Sequence, residues 1–167
     1  VQRLTIPTPS FNEYEKVIAP DGLNLFPLEP ETFELDVDAF AESALRWGSD
    51  TAVVVTPNNP TAVSVPPGEL LRLASRLEAG NCRLIVDESF IEFSRAGVAG
   101  SVEEMVDSVA NLVVIKSMSK VFGIAGLRIG YLLSADREFI KTVRASLPIW
   151  NVNGLAEEFL RTVGRYR

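Results

Sequence analysis

The chain has 167 residues, 47% of them hydrophobic and 23% charged, which is typical of one globular domain and not of a disordered segment. Its formal net charge of −6 argues against non-specific nucleic-acid binding, and its apolar runs are too short to cross a bilayer. With no histidine and a single cysteine, Cys82, the sequence excludes Ser-His-Asp and Cys-His catalysis, the usual zinc sites and an internal disulfide. The lone cysteine and the lack of a signal-peptide pattern favour a reducing, cytoplasmic location.

Short β-rich segments alternate with helical patterns, which predicts an α/β domain with a mostly parallel sheet flanked by helices. The runs Ala52–Val55 and Leu84–Val86 are apolar throughout, as expected of strands covered on both faces. In chain order we expect strands at Arg3–Ile6 and Leu23–Phe26, a helix at Asp36–Trp47, a strand at Ala52–Thr56, a helix at Pro67–Glu78, a strand at Arg83–Asp87, a loop at Ser94–Ser101, strands at Leu112–Lys116 and Arg128–Leu133, and helices at Asp136–Ser146 and Val152–Tyr166.

A polar turn follows the third predicted strand. Thr56-Pro57-Asn58-Asn59-Pro60-Thr61 comes directly after the apolar run, and its prolines restrict the backbone of the turn. The Asn59 amide could donate a hydrogen bond to a ring oxygen of a ligand, although an Asn-Pro turn without a ligand is common.

A carboxylate ends the fourth predicted strand. Asp87 is followed by Glu88-Ser89-Phe90. Because a buried, unpaired charge is costly, Asp87 needs a cationic or hydrogen-bonding partner, and a protonated ring nitrogen of a ligand would serve. Taken alone, Asp87 would more often be the cap of a helix or a loop.

Two hydroxyls and an amine follow the fifth predicted strand, in Ser117-Met118-Ser119-Lys120, and Arg128 comes shortly afterwards. Hydroxyl donors and a guanidinium suit a phosphate group. A partly desolvated lysine beside a cation loses its proton more easily and can attack a carbonyl carbon to form a Schiff base. By itself, Ser-x-Ser-Lys is more often a solvated loop.

These polar groups follow consecutive strands, and the carboxyl ends of parallel strands share the edge of a sheet where ligands bind. The sequence therefore predicts one ligand site at that edge. A nucleotide-binding doubly wound domain is disfavoured, because no Gly-x-Gly-x-x-Gly follows the first strand.

The combination of motifs resembles the class I/II aminotransferases of pyridoxal 5'-phosphate (PLP) fold type I, in the branch of histidinol-phosphate aminotransferases and threonine-phosphate decarboxylases. The resemblance spans essentially the whole chain. It rests on four motifs: Asn58-Asn59-Pro60-Thr61, Asp87-Glu88-Ser89-Phe90, Ser117-Met118-Ser119-Lys120 and Gly126-Leu127-Arg128-Ile129-Gly130.

The resemblance implies a role for each of these positions. Lys120 would form the Schiff base with PLP and move the proton at the substrate α-carbon, and Asp87 would pair with the pyridine nitrogen. Phe11 would stack on the ring, with core packing as the alternative. The ring oxygen would contact Asn59, with Phe90 beside it, and the cofactor phosphate would bind Ser117, Ser119 and Arg128.

The chain departs from the family pattern at two positions, where Ala62 replaces a usual glycine and Phe90 replaces a tyrosine. The glycine-rich phosphate turn of relatives and their small domain, which carries the arginine for the substrate carboxylate, have no counterpart in the sequence. We therefore expect residues 1–167 to form a PLP-binding large domain, a fragment incomplete at both ends that lacks the small C-terminal domain.

The resemblance leaves the reaction open. PLP-dependent amino transfer is the first interpretation, and an L-threonine-O-3-phosphate decarboxylase of cobalamin synthesis is the alternative, indicated by the segments 10–15, 90–93 and 148–153. A truncated, inactive fragment is an interpretation of another class. The expected partners are a small amino-acid substrate, with or without a phosphate group, and a second copy in a homodimer, with no nucleic acid, membrane or metal.

Overall fold

Six strands form one sheet in the computed structural model, which describes residues 1–166. The order across the sheet is β2-β1-β3-β4-β5-β6, and every neighbouring pair is parallel except β5 and β6. The mostly parallel α/β architecture predicted from the sequence is thus confirmed. The strands are β1 (Leu4–Thr8), β2 (Leu23–Pro27), β3 (Thr51–Val55), β4 (Arg83–Asp87), β5 (Leu112–Ser117) and β6 (Gly130–Ser134).

Five helices join and follow the strands: α1 (Val37–Trp47), α2 (Pro67–Glu78), α3 (Met118–Val121), α4 (Arg137–Ser146) and α5 (Gly154–Val163). Side-chain oxygens cap the first turn of four of them, and α1, α4 and α5 are the longer helices among these. Asp36 accepts from two amides of the first turn of α1, Asp136 from one in α4, and Asn153 from one in α5. These caps satisfy amides that lack a partner within the helix, so each helix begins just after its cap. Within residues 1–166, no helix is both long enough and apolar enough to span a membrane.

The larger hydrophobic core lies on one face of the sheet, where α1 and α2 pack against β3, β4 and β5. β3 is buried along its whole length, as its unbroken apolar run predicts. Alternation along β4 sends Leu84 and Val86 into this core, while Ile85 packs on the opposite face beside β1 and β3. On that second face Arg83 forms an ion pair with Asp136 at the start of α4. Two helices therefore cover one face of the central strands, and the start of α4 contacts the other.

Two predicted elements begin two residues later in the structure than expected. We expected a strand from Arg128, but β6 begins at Gly130, because Arg128 has a left-handed backbone (φ 52°, ψ 53°) that a strand cannot contain. The last helix, expected over Val152–Tyr166, is α5 with a 3₁₀ turn at Gly164–Tyr166 after it, since Asn153 fixes its first turn.

The bounds of the other predicted strands and helices agree with the structure within two residues. Several short elements, most of them 3₁₀ turns, were not expected. Ser94–Ser101, predicted as a loop, contains a 3₁₀ turn at Gly97–Gly100, and α3 was not predicted at all. Lys120 therefore lies on a short helix and not in a loop.

Candidate active site

The carboxyl ends of β3, β4 and β5 lie side by side at one edge of the sheet. Val55 is paired with Asp87, and Asp87 with Ile115, so the segments that follow these strands start at the same level. A cavity of about 940 Å³ opens at this edge. Its walls contain all eight residues that the sequence predicted for a ligand site: Phe11, Asn59, Asp87, Phe90, Ser117, Ser119, Lys120 and Arg128.

Asp87 is the last residue of β4, and two hydrogen bonds fix its side chain. Its Oδ1 accepts from the backbone amide of Ser89 at 2.9 Å, and its Oδ2 accepts from the hydroxyl of Tyr14 at 2.6 Å. The residue is only 8% exposed, and the remaining lone pairs of the carboxylate are available toward the cavity. The arrangement can accept a proton donor from a bound ligand without moving.

A serine hydroxyl ties β4 to β5 beside Asp87. The backbone amide of Ser117 donates to the Ser89 Oγ at 3.0 Å, and the Ser117 Oγ in turn accepts from the amide of Ser119 at the start of α3. Ser119 is buried, and among residues 1–166 no partner reaches its Oγ. Since a buried hydroxyl normally has a partner, Ser119 fits a site that receives hydrogen-bonding oxygens from a ligand.

Arg128 reaches the same part of the cavity from the turn before β6. Its left-handed backbone is uncommon for a residue with a side chain, and such strain tends to occur at functional sites. Within the described residues its guanidinium has one hydrogen bond, to the carbonyl oxygen of Ala125, and no ion pair. Most of its donors therefore remain available for an anion.

Two lysines line the cavity, but only one is available for chemistry. Lys116 is buried and forms ion pairs with Glu92 at 2.6 Å and Glu103 at 3.3 Å. Burial disfavours its charged form, yet the two carboxylates outweigh this effect and raise the pKa of Lys116 above its ordinary value. Lys116 is thus fixed as a structural cation.

Lys120 is exposed and has no carboxylate partner within residues 1–166. Its Nζ lies 5.6 Å from the centroid of the Phe90 ring, which is within the range of a cation–π contact. The amine is therefore oriented over the cavity by an aromatic ring and not neutralised by an acid. Of the two lysines, Lys120 is the one that can act as a nucleophile.

Phe11 is 37% exposed and lines the cavity, so the structure excludes the alternative that it is a core residue. Asn59 also borders the cavity, next to a residue whose importance sequence reasoning missed. The buried side chain of Asn58 accepts from the Ser10 hydroxyl and donates to the Pro9 carbonyl and the Thr61 hydroxyl. Asn58 therefore joins the turn after β3 to the segment that carries Phe11. The only local sign of this role in the sequence is an asparagine in a turn flanked by prolines.

Tyr14 and the acidic partners of Lys116 were also missed. Tyr14 bonds to a residue 73 positions away, and no local pattern marks such a contact. Glu92 and Glu103 lie on short 3₁₀ segments whose spacing gives no regular face. These contacts exist only because the sheet order brings distant segments together.

A parallel sheet with a lysine, an aspartate, two serines and an arginine at its carboxyl edge defines a class of PLP-binding proteins. The family model for class I and II aminotransferases matches residues 2–163, and the chain belongs to that family. The resemblance inferred from the four motifs is therefore confirmed.

Three relatives illustrate the range of the family. The chain is 46% identical over 163 residues to a CMP-5'-(3-aminopropyl)phosphonate synthase of Streptomyces rubellomurinus, which covers 98% of this chain and 26% of that protein. It is 34% identical to the histidinol-phosphate aminotransferase of Chlorobium luteolum, covering 97% of this chain and 44% of that protein. It is also 34% identical to the L-serine phosphate decarboxylase of Sulfurospirillum multivorans, covering 96% and 42%.

Two solved structures share the fold. A decarboxylase from Sulfurospirillum multivorans superposes with a TM-score of 0.84 at 31% identity, covering 99% of this chain and 49% of that one. The L-threonine-O-3-phosphate decarboxylase of Porphyromonas gingivalis superposes with a TM-score of 0.73 at 27% identity, covering 99% and 48%. The chain thus spans between a quarter and a half of the proteins that it matches.

Membership of this family implies PLP as the cofactor, and the residues present fit it. The Ser119 hydroxyl without a partner and the Arg128 guanidinium without an ion pair suit the phosphate. The fixed carboxylate of Asp87 suits a protonated pyridine nitrogen, and the amine of Lys120 suits the aldehyde.

Proposed function

We propose that this chain is the cofactor-binding part of a PLP-dependent enzyme that acts on a small amino acid carrying a phosphate or phosphonate group. One observation carries the proposal. One cavity at the carboxyl edge of the sheet is lined by four groups that a cofactor could use. They are the amine of Lys120, the carboxylate of Asp87 with its two hydrogen bonds, the buried hydroxyl of Ser119, which has no partner among residues 1–166, and the guanidinium of Arg128. This set matches the aldehyde, nitrogen and phosphate of PLP, and its members come from the end of β4 and from the connection between β5 and β6.

Each residue has a defined task in the proposed site. When bound, PLP supplies an electron sink for the bond broken at the substrate α-carbon. Lys120 would hold the cofactor through its amine, and the same amine is placed to hold or deliver a proton at that carbon. Asp87 keeps the pyridine nitrogen protonated by offering it a charged acceptor.

The remaining residues orient the ring. Ser117, Ser119 and Arg128 bind the phosphate, and Asn59 donates to the ring oxygen. Phe11 covers one face of the ring. Phe90 has no hydroxyl to offer the ring oxygen, but its ring guides the Lys120 amine at 5.6 Å. Of the two positions that contact the ring oxygen in the family, 59 and 90, only Asn59 then offers it a hydrogen bond.

The substrate class is supported by the names of the relatives. A phosphonate, histidinol phosphate, serine phosphate and threonine phosphate each combine a nitrogen-bearing carbon chain with a phosphorus oxyanion. A tetrahedral dianion of this kind requires several cationic or amide donors. Arg144, which also lines the cavity and is exposed, can supply one such donor outside the cofactor site.

Two reactions are candidates on this scaffold. Decarboxylation is favoured by the 46% identical relative, whose named product is a primary amine, and by the decarboxylase with a TM-score of 0.84. Amino transfer is favoured by the histidinol-phosphate aminotransferase at 34% identity. The two differ in which bond at the substrate α-carbon is broken: the bond to the carboxylate in decarboxylation, and the bond to hydrogen in amino transfer.

The covalent role of Lys120 gives the first testable prediction. The full chain is incubated with PLP, reduced with borohydride and digested, and mass spectrometry locates the label. We expect one labelled lysine, Lys120, and no label at this position in Lys120→Ala. The control Lys141→Ala removes an exposed lysine of α4 and is expected to leave the label in place. If the wild-type chain carries no label, the proposed PLP site and the proposed enzyme are both rejected, and the inactive-fragment interpretation is favoured.

The reaction and substrate are tested on the same protein. Phosphoserine, phosphothreonine and 2-amino-4-phosphonobutyrate are assayed for release of carbon dioxide. Histidinol phosphate with 2-oxoglutarate is assayed for glutamate. Carbon dioxide without glutamate supports decarboxylation, glutamate without carbon dioxide supports amino transfer, and reaction only with amino acids that lack phosphorus would contradict the substrate class.

We also propose a cytoplasmic homodimer, which the family resemblance implies. The cytoplasmic location is supported by Cys82, a free and buried thiol of the kind that a reducing compartment preserves. Sedimentation of the full chain at micromolar concentration tests the dimer, and a monomer at that concentration would contradict it.

A further inference from the structure

The hydroxyl of Tyr14 is hydrogen-bonded to Asp87, one of the residues of the candidate site. It donates to Asp87 Oδ2 at 2.6 Å, across 73 positions of sequence. Its side chain packs against the small apolar cluster of Leu4, Ile6 and Val53, beneath the carboxyl ends of β1 and β3. Tyr14 is not among the residues that line the cavity, so it reaches the site through Asp87 and Phe11, which do line it.

The same side chain supports a second residue of the site. The ring centroids of Tyr14 and Phe11 are 6.0 Å apart and their planes meet at 80°, the edge-to-face geometry that aromatic pairs prefer. Phe11 is itself partly exposed and has no deep packing of its own. One half-buried tyrosine therefore contacts both the carboxylate proposed for the ring nitrogen and the aromatic proposed for the ring face.

The hydrogen bond has only one possible direction. Burial, followed by the charge and hydrogen bond of Asp87, raises the pKa of Tyr14 far above its ordinary value. The phenol consequently remains protonated and donates, while the carboxylate accepts. With the Ser89 amide on Oδ1, each oxygen of Asp87 has one fixed donor and retains a lone pair for a ligand.

We propose that Tyr14 is a positioning residue that fixes the orientation of Asp87 and Phe11 and keeps the shared proton on the pyridine nitrogen. The inference rests on the proposed function, since it concerns the same site. A phenol that donates to Asp87 occupies a lone pair that would otherwise compete for a proton. Loss of the phenol leaves the carboxylate a stronger competitor, and the proton moves from the ring nitrogen toward oxygen.

The test uses Tyr14→Phe in the full chain, since this change removes the hydroxyl and keeps the contact with Phe11. The dissociation constant for PLP is measured by quenching of protein fluorescence, and the pyridine nitrogen is observed by NMR with ¹⁵N-labelled PLP. We expect the dissociation constant to rise about tenfold, and the ¹⁵N signal to shift from the pyridinium position toward that of neutral pyridine. The control Tyr131→Phe removes a phenol that donates to another carboxylate, Glu103, and should leave the ¹⁵N signal unchanged.

The outcomes separate the positioning role from a purely structural one. An unchanged ¹⁵N signal in Tyr14→Phe would overturn the inference, even with weaker PLP binding, because a structural role alone predicts that result. A wild type that binds no PLP would instead reject the proposed function. The double variant with Asp87→Asn provides an independent check. The inference requires that Tyr14→Phe add little to the loss caused by Asp87→Asn, and additive losses would contradict it.

Discussion

At the scale of single residues, the turn after β3 carries an avoidable strain. Ala62 has a φ of 61°, in the left-handed region that glycine adopts freely and alanine does not. Its amide donates to the Asn58 carbonyl at 2.7 Å, so the turn is closed despite the unfavourable angle. The position is the one at which the family usually has glycine, and the structure gives the physical reason for that preference.

Ala62→Gly is therefore expected to stabilise the chain by about 0.5–1 kcal/mol, because relief of the left-handed strain exceeds the extra entropy of glycine in the unfolded state. Urea unfolding followed by circular dichroism measures the difference. Ala145→Gly, at an exposed position of α4 with a helical backbone, is the matched control and should destabilise by up to about 1 kcal/mol. Equal destabilisation by both substitutions would show that the angle at residue 62 carries no strain.

At the scale of elements, the pairing of β5 with β6 places Ser117 and Arg128, which are proposed to bind the phosphate. Ser117 on β5 stands opposite Gly130 on β6, and a Cβ at residue 130 would lie 2.6 Å from the carbonyl oxygen of Lys116. The two strands can approach this closely only because residue 130 has no side chain. Arg128 precedes this contact by two residues, so the position of its guanidinium depends on it.

Gly130→Ala is expected to push β6 away from β5, with a loss of about 1–3 kcal/mol in the free energy of unfolding. We also expect weaker binding of PLP, since Arg128 and Ser117 would separate. Gly126→Ala, in the same motif but with open space around its Cβ, is the control and should change neither property. Thermal unfolding and PLP titration measure both effects, and retention of full PLP affinity in Gly130→Ala would show that Arg128 is placed independently of the strand pair.

Elements that depend on local pattern were the ones that the sequence predicted well. α2 and β4 have the predicted bounds, because Pro67 begins a helix with one apolar side and Arg83–Asp87 is a compact strand between polar turns. The meeting of Asn59, Asp87 and Lys120 was also predictable, since carboxyl ends of neighbouring parallel strands share an edge. The start of β6 was not, because a left-handed Arg128 has no signature in its side chain.

Contacts between distant segments lay beyond the reach of sequence reasoning. The bond from Tyr14 to Asp87 requires that a 3₁₀ turn after β1 fold back beneath β4, and the ion pairs of Lys116 require the path of the segment after β4. Neither follows from periodicity or from spacing. The sequence therefore indicated which groups face the cavity, whereas the groups that hold them in place became visible only in the structure.

At the scale of the whole molecule, stability depends on a buried thiol and a partly desolvated phenol that keep their protons. Burial is the main cause that raises the pKa of Cys82 from its ordinary 9.0 to about 12, with a further contribution from the Asp50 charge. Burial and the Glu103 carboxylate raise that of Tyr131 to about 12 as well. The folded chain thus retains protons at alkaline pH that the unfolded chain gives up.

The sign of the pH dependence follows from this difference. Above pH 9 the unfolded chain binds fewer protons than the folded chain, so the free energy of unfolding decreases as the pH rises. For Cys82 the stabilisation is complete below pH 9 and is lost progressively up to about pH 12, at a slope of at most about 1.4 kcal/mol per pH unit.

Urea unfolding of the wild type and of Cys82→Ala between pH 8 and pH 10.5 tests this pH dependence. Cys82→Ala removes a buried group and is expected to be less stable at pH 8, but its curve should decline less steeply than that of the wild type, and the gap should narrow with pH. Parallel curves would show that the Cys82 thiol ionises as readily in the folded chain as in the unfolded one, and the alkaline loss would then belong to Tyr14 and Tyr131, whose hydroxyls donate to carboxylates on both sides of the site.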